Sequence, residues 1–248
     1  MNRVAKIEVF NNDDTFAFWS IIWAKNEDED YYIYIHPSQH LPSDFDSSFQ
    51  PKAQLIPRSH YRPLKPSSLT IAASSISDSC YVKKPLPLSY EPENPEDTSA
   101  ADGLIREALV LESLTKLGGH KNIADYYGYI EKDGYIFGLC FKKYGKNLWD
   151  AVRDGDEVNV KDVVQGVKQG LEWLHFHGWV HGDICPYNIV LQSPSIPVII
   201  DFDSSALCGQ HIIGKGGTPG WTLGQDLAKK ESDFYGLSEV EKWLLQLN

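Results

Sequence analysis

The feature that most constrains this chain is an ordered set of polar residues on two short segments. The segment His181–Leu191 carries Asp183 and, five residues later, Asn188, whereas Asp201 directly follows the β-branched run Val198–Ile200. Loops next to buried strands are rigidly held, which suits catalytic groups. Any one of these residues alone more often caps a turn, but the set in this order predicts a functional site.

The residue types in this set suit phosphoryl transfer. That reaction needs little covalent help from a protein, but it needs metal ions that bridge phosphate oxygens and a carboxylate that orients the attacking hydroxyl. Mg²⁺ prefers hard oxygen ligands such as carboxylate and amide oxygens. Asp201 and Asn188 fit the metal-binding role, and Asp183 fits the role that faces the hydroxyl.

Both segments resemble those of eukaryotic protein kinases. His181–Leu191 is similar to their catalytic loop, and Asp201–Asp203 is similar to their metal-binding segment. Further along, Gly217–Pro219 resembles the end of their activation segment, and Ser232–Leu237 resembles the start of the helix that anchors their C-lobe. In that family the aspartate of this helix ties back to the catalytic-loop backbone, so the resemblance implies a structural role for Asp233.

Upstream segments extend the resemblance. Cys80–Lys83 resembles the strand with the nucleotide-binding lysine, Arg106–Leu111 the helix with its partner glutamate, and Leu139–Tyr144 the segment that binds adenine. Lys84 competes with Lys83 for the lysine role, since strand alternation turns only one of them toward the cleft, and the resemblance of Cys80–Lys83 to the kinase strand favours Lys83. The resemblance therefore implies three sets of site residues: catalytic Asp183, Lys83 and Glu107; ATP-binding Lys83, Lys142, Tyr144, Asn188 and Asp201; and Mg²⁺-binding Asn188 and Asp201.

The fold class implied is α+β, a bilobal protein-kinase-like fold. We expect a β-rich N-lobe and a mainly helical, shortened C-lobe that stops about one helix after Asp233. The predicted divisions are 1–60, a β-rich extension or a divergent start of the N-lobe; 61–142, the N-lobe; and 143–248, the C-lobe.

Hydrophobic periodicity predicts the elements. Strands are expected at Phe16–Ala24 (or a short core helix), Tyr31–Ile35, Tyr135–Phe141, Ile189–Leu191 and Val198–Ile200, with Leu69–Ala73 paired to Cys80–Lys84. Helices are expected at Leu104–Leu117, Val160–Leu174 and Phe234–Leu247. Proline, serine and aspartate predict irregular chain at His36–Pro51, at 57–68 and at Pro85–Pro95.

Several positions depart from the kinase pattern. Gly182 stands where many protein kinases have an arginine that reads an activation-segment phosphate, and Asp203 replaces a glycine. Leu223–Gln225 stands where an Ala-Pro-Glu is expected. All 19 glycines fall at or after Gly103, so the usual glycine-rich phosphate loop is absent. A different lid, built from residues 50–75, would have to cover the phosphates.

Three functions follow from these features. The first is ATP- and Mg²⁺-dependent phosphoryl transfer to a serine or threonine hydroxyl of a protein, as by a serine/threonine kinase. The second is a pseudokinase, a nucleotide-binding interaction module, which the lost glycine loop favours. The third is a small-molecule kinase similar to the aminoglycoside and choline phosphotransferases, which share the His-Gly-Asp-x4-Asn and Ile-Asp-Phe pattern.

Composition narrows the partners. The formal net charge is −11 with no basic run, which argues against nucleic-acid and membrane partners and leaves ATP and an unidentified protein substrate. The 4 cysteines are far apart in sequence, so we interpret them as reduced thiols of an intracellular protein. No signal-peptide pattern is visible. We therefore expect a cytoplasmic or nuclear protein that is not secreted.

Overall fold

The computed structural model describes residues 1–11, 13–25, 30–66, 68–73, 80–213 and 216–246. The chain divides into two compact units. The first comprises Met1–Pro63 and Pro85–Asp102, and the second comprises Leu64–Lys84 and Gly103–Asn248. Among the described residues, no helix has the length and apolar character needed to cross a membrane.

The first unit is built on an antiparallel sheet whose strands follow chain order. Its strands are β1 (Asn2–Phe10), β2 (Phe16–Lys25), β3 (Asp30–His36) and β4 (Gln54–Leu55). Strand β2 packs on both of its faces, with Ile22 in one apolar cluster and Trp23 in another. This double burial explains why its sequence is a continuous apolar run rather than an alternating one. The predicted strands at Phe16–Ala24 and Tyr31–Ile35 are confirmed.

Two segments of this unit expected to be irregular contain short helices. Helix α1 (Phe45–Phe49) lies in the predicted loop His36–Pro51, and helix α2 (Arg58–Tyr61) lies in the predicted loop 57–68. The ring of Phe49 stacks on Tyr34 with centroids 4.8 Å apart. Burial of these apolar side chains against the sheet outweighs the weak local propensity. Pro85–Pro95 contains turns and no helix, as predicted.

The second unit contains a three-stranded antiparallel sheet in the order β5, β7, β6. Its strands are β5 (Cys80–Lys83), β6 (Tyr126–Lys132) and β7 (Tyr135–Lys142). The predicted pairing of Leu69–Ala73 with Cys80–Lys84 is wrong: Cys80–Lys83 pairs with β7, and Ile71 bridges to Tyr129 instead. Residues 74–79, which would have formed the turn, lie outside the described residues. Strand β6 was not predicted.

The second unit contains the three helices that the sequence predicted and, among the described residues, a short one at Leu148–Arg153 that it did not. Its helices are α3 (Ser99–Lys116), which starts in the first unit, α4 (Leu148–Arg153), α5 (Val160–Phe176) and α6 (Lys230–Gln246). Gly118, with a φ of 94°, follows the end of α3, as the glycine pair there predicted. The last helix begins four residues before the predicted Phe234, and Leu247 lies outside the described residues.

Short strands carry the segments of interest. They are β8 (Trp179–Val180), β9 (Ile189–Ser193), β10 (Ile196–Ile199) and β11 (Ala206–Leu207), with β9 paired to β10 and β8 paired to β11. Gly170 of α5 lets this helix approach the hairpin, because a Cβ there would lie 3.0 Å from Ile199. Residues 181–188 connect β8 to β9, and residues 200–205 connect β10 to β11. Because β9 pairs with β10 and β8 pairs with β11, these two connections lie next to each other.

Candidate active site

The segment between β8 and β9 is held by one buried carboxylate. Asp233 on α6 is 1% exposed, and its oxygens accept the main-chain N–H groups of His181 at 2.9 Å and of Gly182 at 2.8 Å. Its Oδ2 also lies 2.7 Å from Nε2 of His175. A buried charge is tolerated when it is paired and hydrogen-bonded. The expected tie between Asp233 and this loop is therefore present.

Gly182 is required by the backbone at this point. Its φ is 85°, and a Cβ would lie 2.6 Å from the carbonyl oxygen of Ser204. Left-handed conformation is unfavourable for residues with a side chain. Both facts explain why the arginine of the kinase pattern is replaced here: the loop and the segment after Asp201 approach too closely for any side chain.

Lys83 lies between two carboxylates. Its Nζ is 2.9 and 2.7 Å from the two oxygens of Glu107 and 2.7 Å from Oδ1 of Asp201. Burial acts to lower the pKa of Lys83, but the two carboxylates overcome burial and raise it. Lys84 instead lies over the ring of Phe137 at 5.2 Å. The structure therefore places Lys83, the residue favoured by the sequence, beside Glu107.

Asp201 takes a backbone conformation that is uncommon for a non-glycine residue, with a φ of 66°. The next residue, Phe202, donates its main-chain N–H to Oε1 of Glu107 at 3.3 Å. The Phe202 ring packs edge-on against His181, with centroids 4.9 Å apart. His181 Nε2 is in turn 3.0 Å from the carbonyl oxygen of Ile200. These contacts bind the two functional segments to each other and to α3.

Asp183 accepts hydrogen bonds on both carboxylate oxygens. Asn188 Nδ2 donates to its Oδ2 at 2.9 Å and to its carbonyl oxygen at 3.0 Å. Thr218 donates its main-chain N–H to Oδ1 at 2.6 Å and its hydroxyl to Oδ2 at 3.1 Å. Three donors therefore fix the carboxylate, and the Gly217–Pro219 segment lies directly against it.

The oxygens offered by Asn188 and Asp201 match the preference of Mg²⁺. The main-chain N–H of Ile200 donates to the Asn188 carbonyl oxygen at 3.0 Å, which sets Asn188 beside the residue that precedes Asp201. Both hydrogen bonds of the Asn188 side chain described above come from Nδ2. Within the described ranges, no group of three or more His, Cys, Asp or Glu side chains is arranged to hold a metal by itself. A magnesium ion here would complete its shell with phosphate oxygens and water, its usual mode of binding.

A cavity of about 410 Å³ opens beside Lys83. Its lining includes Lys83, Glu107, Asp201, Lys142 and Tyr144. The structure therefore brings together five of the seven residues that the sequence singled out. The other two, Asp183 and Asn188, do not line this cavity.

The segment that follows β7 is fixed by Tyr144. The hydroxyl of Tyr144 accepts the main-chain N–H of Asp125 at 2.9 Å, and burial raises the pKa of this phenol. Lys142 lies 3.4 Å from the carboxylate of Asp125. The predicted adenine-binding segment is thus anchored to the residue just before β6.

Part of the segment expected to form the lid pairs with β6. None of the described residues of this segment in the second unit, 64–66 and 68–73, lines the cavity. Instead, Thr70 and Ala72 exchange main-chain hydrogen bonds with Tyr129 of β6. Gly128 permits this approach, because a Cβ there would lie 2.5 Å from the Thr70 carbonyl oxygen. The lid from residues 50–75 therefore stays a prediction.

Sequence reasoning missed several residues of this site. Tyr187 and Asp150 line the cavity, Thr218 donates to Asp183, and the Cys185 sulfur lies 3.7 Å from the Thr218 hydroxyl. Tyr187 and Cys185 stand inside the His181–Asn188 motif, so their position in the motif was a usable signal. Asp150 offered no such signal. It lies in the first turn of α4, where its main-chain N–H donates to the N-cap residue Asn147.

The sequence of this chain is similar to those of known protein kinases. Residues 77–223 match the family model described as protein kinase domain. Similar curated proteins include the serine/threonine-protein kinase PKZ1 of Phytophthora infestans, 30% identical over 104 residues, which are 41% of this chain and 26% of that protein. The serine/threonine-protein kinase TAO3 of Rattus norvegicus is 28% identical over 148 residues, 57% of this chain and 16% of that protein.

The 2-5A-dependent ribonuclease of Mus musculus is 27% identical over 101 residues, 37% of this chain and 14% of that protein. The chain thus spans about a quarter or less of the length of these relatives. The family model covers more than half of the chain and includes the Lys83, Asp183 and Asp201 segments. The chain therefore belongs to the protein kinase domain family.

Proposed function

We propose that this protein transfers the γ-phosphoryl group of ATP to a serine or threonine hydroxyl of a protein, with Mg²⁺ as the metal. The observation that carries the proposal is the position of Lys83 between Glu107 and Asp201 at the cavity wall, at 2.7 to 2.9 Å. The cavity of about 410 Å³ falls in the range of small-molecule sites.

Lys83 would bind the α- and β-phosphates of ATP. Its pKa is raised, so it stays an ammonium ion at neutral pH and attracts the phosphate oxygens. Glu107 orients it from the buried side, because Glu107 is 1% exposed and is anchored by Phe202. Lys142 and Tyr144 would face the adenine end, where the segment after β7 lines the cavity.

Asp201 and Asn188 would hold Mg²⁺ against the phosphates. When bound, this ion supplies positive charge that stabilises the phosphate oxygens as negative charge builds up on them. Asp201 also contacts Lys83, so a metal and the ammonium ion would share one carboxylate.

Asp183 would orient the substrate hydroxyl. The hydroxyl oxygen attacks the γ-phosphorus, the bond from that phosphorus to the β-phosphate oxygen breaks, and the hydroxyl proton passes to the Asp183 carboxylate. Asn188 and Thr218 fix the direction of this carboxylate. A substrate hydroxyl must share Oδ1 with the Thr218 N–H or replace it, so substrate binding and the Gly217–Pro219 segment are coupled.

The substrate class rests on similarity. The relatives from Phytophthora infestans and Rattus norvegicus are named serine/threonine-protein kinases. Gly217–Pro219, which resembles the end of the kinase activation segment and looks more like the serine/threonine branch than the tyrosine branch, lies directly against Asp183. We also propose the lobe boundaries given by the resemblance, an N-lobe over 61–142 and a C-lobe over 143–248.

Transfer is tested with the purified chain, Mg-ATP and a mixed-sequence protein acceptor. We expect ADP and phosphoprotein to form, and Asp183→Asn and Lys83→Met to lower the rate by at least about a hundredfold, a barrier increase of about 2.7 kcal/mol. Lys84→Met is the matched control, because its ammonium group lies over Phe137 rather than at the cavity. A wild-type rate no higher than that of Asp183→Asn would overturn the catalytic proposal.

A second candidate is a nucleotide-binding interaction module. Both oxygens of Asp183 are occupied by donors of the chain, and Asp183 lies off the cavity lining. One relative is named a ribonuclease rather than a kinase. This candidate predicts a thermal shift with Mg-ATP that Lys83→Met abolishes, with no phosphoryl transfer in the assay above.

A further inference from the structure

Two cysteines lie on the same face of the three-stranded sheet. The register pairs Val82 with Cys140 and Cys80 with Lys142, so Cys80 and Cys140 occupy diagonal positions on adjacent strands. Because side chains alternate along a strand, both thiols lie on the face opposite Tyr81, which lines the cavity. The two thiols are close enough for the Cys80 thiol to affect the pKa of Cys140.

The two thiols differ in solvent exposure, so we expect them to have different roles in oxidation. Cys140 is 1% exposed, whereas Cys80 is partly exposed. Burial, together with the Cys80 thiol, raises the pKa of Cys140 to about 12. An oxidant therefore reaches Cys80 first, because solvent access favours this thiol and burial keeps Cys140 protonated. Cys140 remains in contact as the thiol available to resolve an oxidised Cys80.

We propose that Cys80 and Cys140 form a reversible disulfide when the protein meets a peroxide. The Cys80 thiolate attacks one peroxide oxygen, and the O–O bond breaks to give a sulfenic acid at Cys80 and a hydroxide ion, which takes up the proton lost by the Cys80 thiol and leaves as water. The Cys140 sulfur then attacks the Cys80 sulfur and displaces the sulfenic oxygen as a second water. In total the two thiols lose two protons and two electrons, which reduce one hydrogen peroxide to two waters.

The bridge changes the geometry of the sheet. Diagonal neighbours on adjacent antiparallel strands are typically about 7–8 Å apart, whereas bridged cysteines have Cα atoms about 4.4–6.8 Å apart. Closing the bridge therefore shifts β5 along β7 by about 1 Å. A disulfide strained in this way is readily reduced, which suits a reversible modification.

The shift reaches the nucleotide cavity. Tyr81 and Lys83 lie on β5 and line the cavity, and Phe141 lines it from β7. A shift of about 1 Å moves Lys83 relative to Glu107, and misplacements of this size are costly in a preorganised site. We expect the oxidised protein to bind Mg-ATP about tenfold more weakly. This second step rests on the proposed nucleotide function, whereas formation of the bridge does not.

Bridge formation is tested on the full chain, treated with hydrogen peroxide, alkylated under denaturing conditions, digested and examined by mass spectrometry. We expect one cross-linked peptide pair that contains Cys80 and Cys140, two hydrogens lighter than the separate peptides, and its loss after dithiothreitol. Cys80→Ser and Cys140→Ser should each abolish it. The matched control is Cys208→Ser, because Cys208 is exposed, and it should leave the cross-link intact.

Two results would overturn the bridge: Cys80 oxidised to sulfinic acid while Cys140 remains alkylated, or a cross-link that joins a different pair of cysteines. Mapping in the unmodified sequence decides this even where a variant does not fold. Mg-ATP affinity is then measured on reduced and bridged protein. Equal affinities contradict the predicted effect on the cavity, whereas absence of binding in both forms contradicts the proposed function and leaves the bridge standing.

Discussion

The main-chain N–H of Thr218 donates to Oδ1 of Asp183 at 2.6 Å, and the Thr218 hydroxyl donates to Oδ2 at 3.1 Å. One residue of the Gly217–Pro219 segment thus contacts both oxygens of the carboxylate assigned to the substrate hydroxyl. Asn188 supplies the third donor. The orientation of Asp183 therefore depends on two parts of the chain, 30 residues apart.

We predict that Thr218→Val lowers kcat about tenfold and leaves the KM for ATP unchanged. Valine keeps the shape and the main-chain N–H but removes the hydroxyl donor, and a hydrogen bond to a charged group contributes about 1.5–3 kcal/mol. Steady-state kinetics with varied ATP check the split. Thr222→Val is the control, since its hydroxyl contacts Ser232. An unchanged kcat would show that the Thr218 hydroxyl does not position Asp183.

Gly182→Ala is predicted to destabilise the fold by more than about 2 kcal/mol. The new Cβ lies 2.6 Å from the Ser204 carbonyl oxygen, and the left-handed φ adds about 1–2 kcal/mol of strain. At about 2–4 °C per kcal/mol for a chain of this size, the melting temperature should fall by at least about 4 °C.

Gly178→Ala separates strain from collision. Gly178 has a similar φ of 82°, but no atom lies within 4 Å of its added Cβ. Its variant should therefore lose only the strain contribution. Equal losses at the two positions would contradict the contact between Gly182 and Ser204 as the reason for the glycine.

The sequence predicted the elements that carry a strong period. The Val160–Leu174 periodicity gave α5, and the apolar runs gave β2, β7 and the β9–β10 hairpin. Local patterns of this kind fix a helix or strand because they fix which face is buried. The positions of Lys83 beside Glu107 and of Asp233 beside the loop backbone were implied by the resemblance to protein kinases.

The sequence could not predict which distant segments pair. The residues of Cys80–Lys83 do not predict whether this strand pairs with Leu69–Ala73 or with β7. Burial and cross-strand contacts over the whole unit determine which strands pair. Thr218 against Asp183 is a contact across 35 residues of the same kind. The short helix α2 was missed because four residues carry too little period to detect.

Lys83→Met is predicted to make stability depend on pH. Without the ammonium ion, Glu107 keeps the burial that raises its pKa but loses the cation that opposes it. A group whose pKa is higher in the folded state stabilises fully below its unfolded pKa, and this contribution is lost as pH rises through the folded pKa. The variant should therefore lose more stability at pH 8 than at pH 5.5.

Urea unfolding at the two pH values checks this, with Lys84→Met expected to show the same loss at both. Lys83→Met combined with Glu107→Gln should remove most of the pH dependence, because the buried carboxyl group is then absent. A single variant with equal losses at pH 5.5 and pH 8 would mean that Glu107 does not carry the buried charge.

Asp233→Asn should uncouple the catalytic loop from α6. Both main-chain donors, His181 and Gly182, would face an amide that offers one oxygen and one N–H₂ group, so one buried donor loses its acceptor. We expect a loss of about 3 kcal/mol in unfolding free energy, the lower end for breaking a buried charged pair. The kcat should also fall at least tenfold at temperatures where the variant is folded, because Asp183 directly follows Gly182.

Asp226→Asn, at an exposed position, is the control and should change neither quantity. A variant of normal stability and kcat would contradict the anchoring role of Asp233.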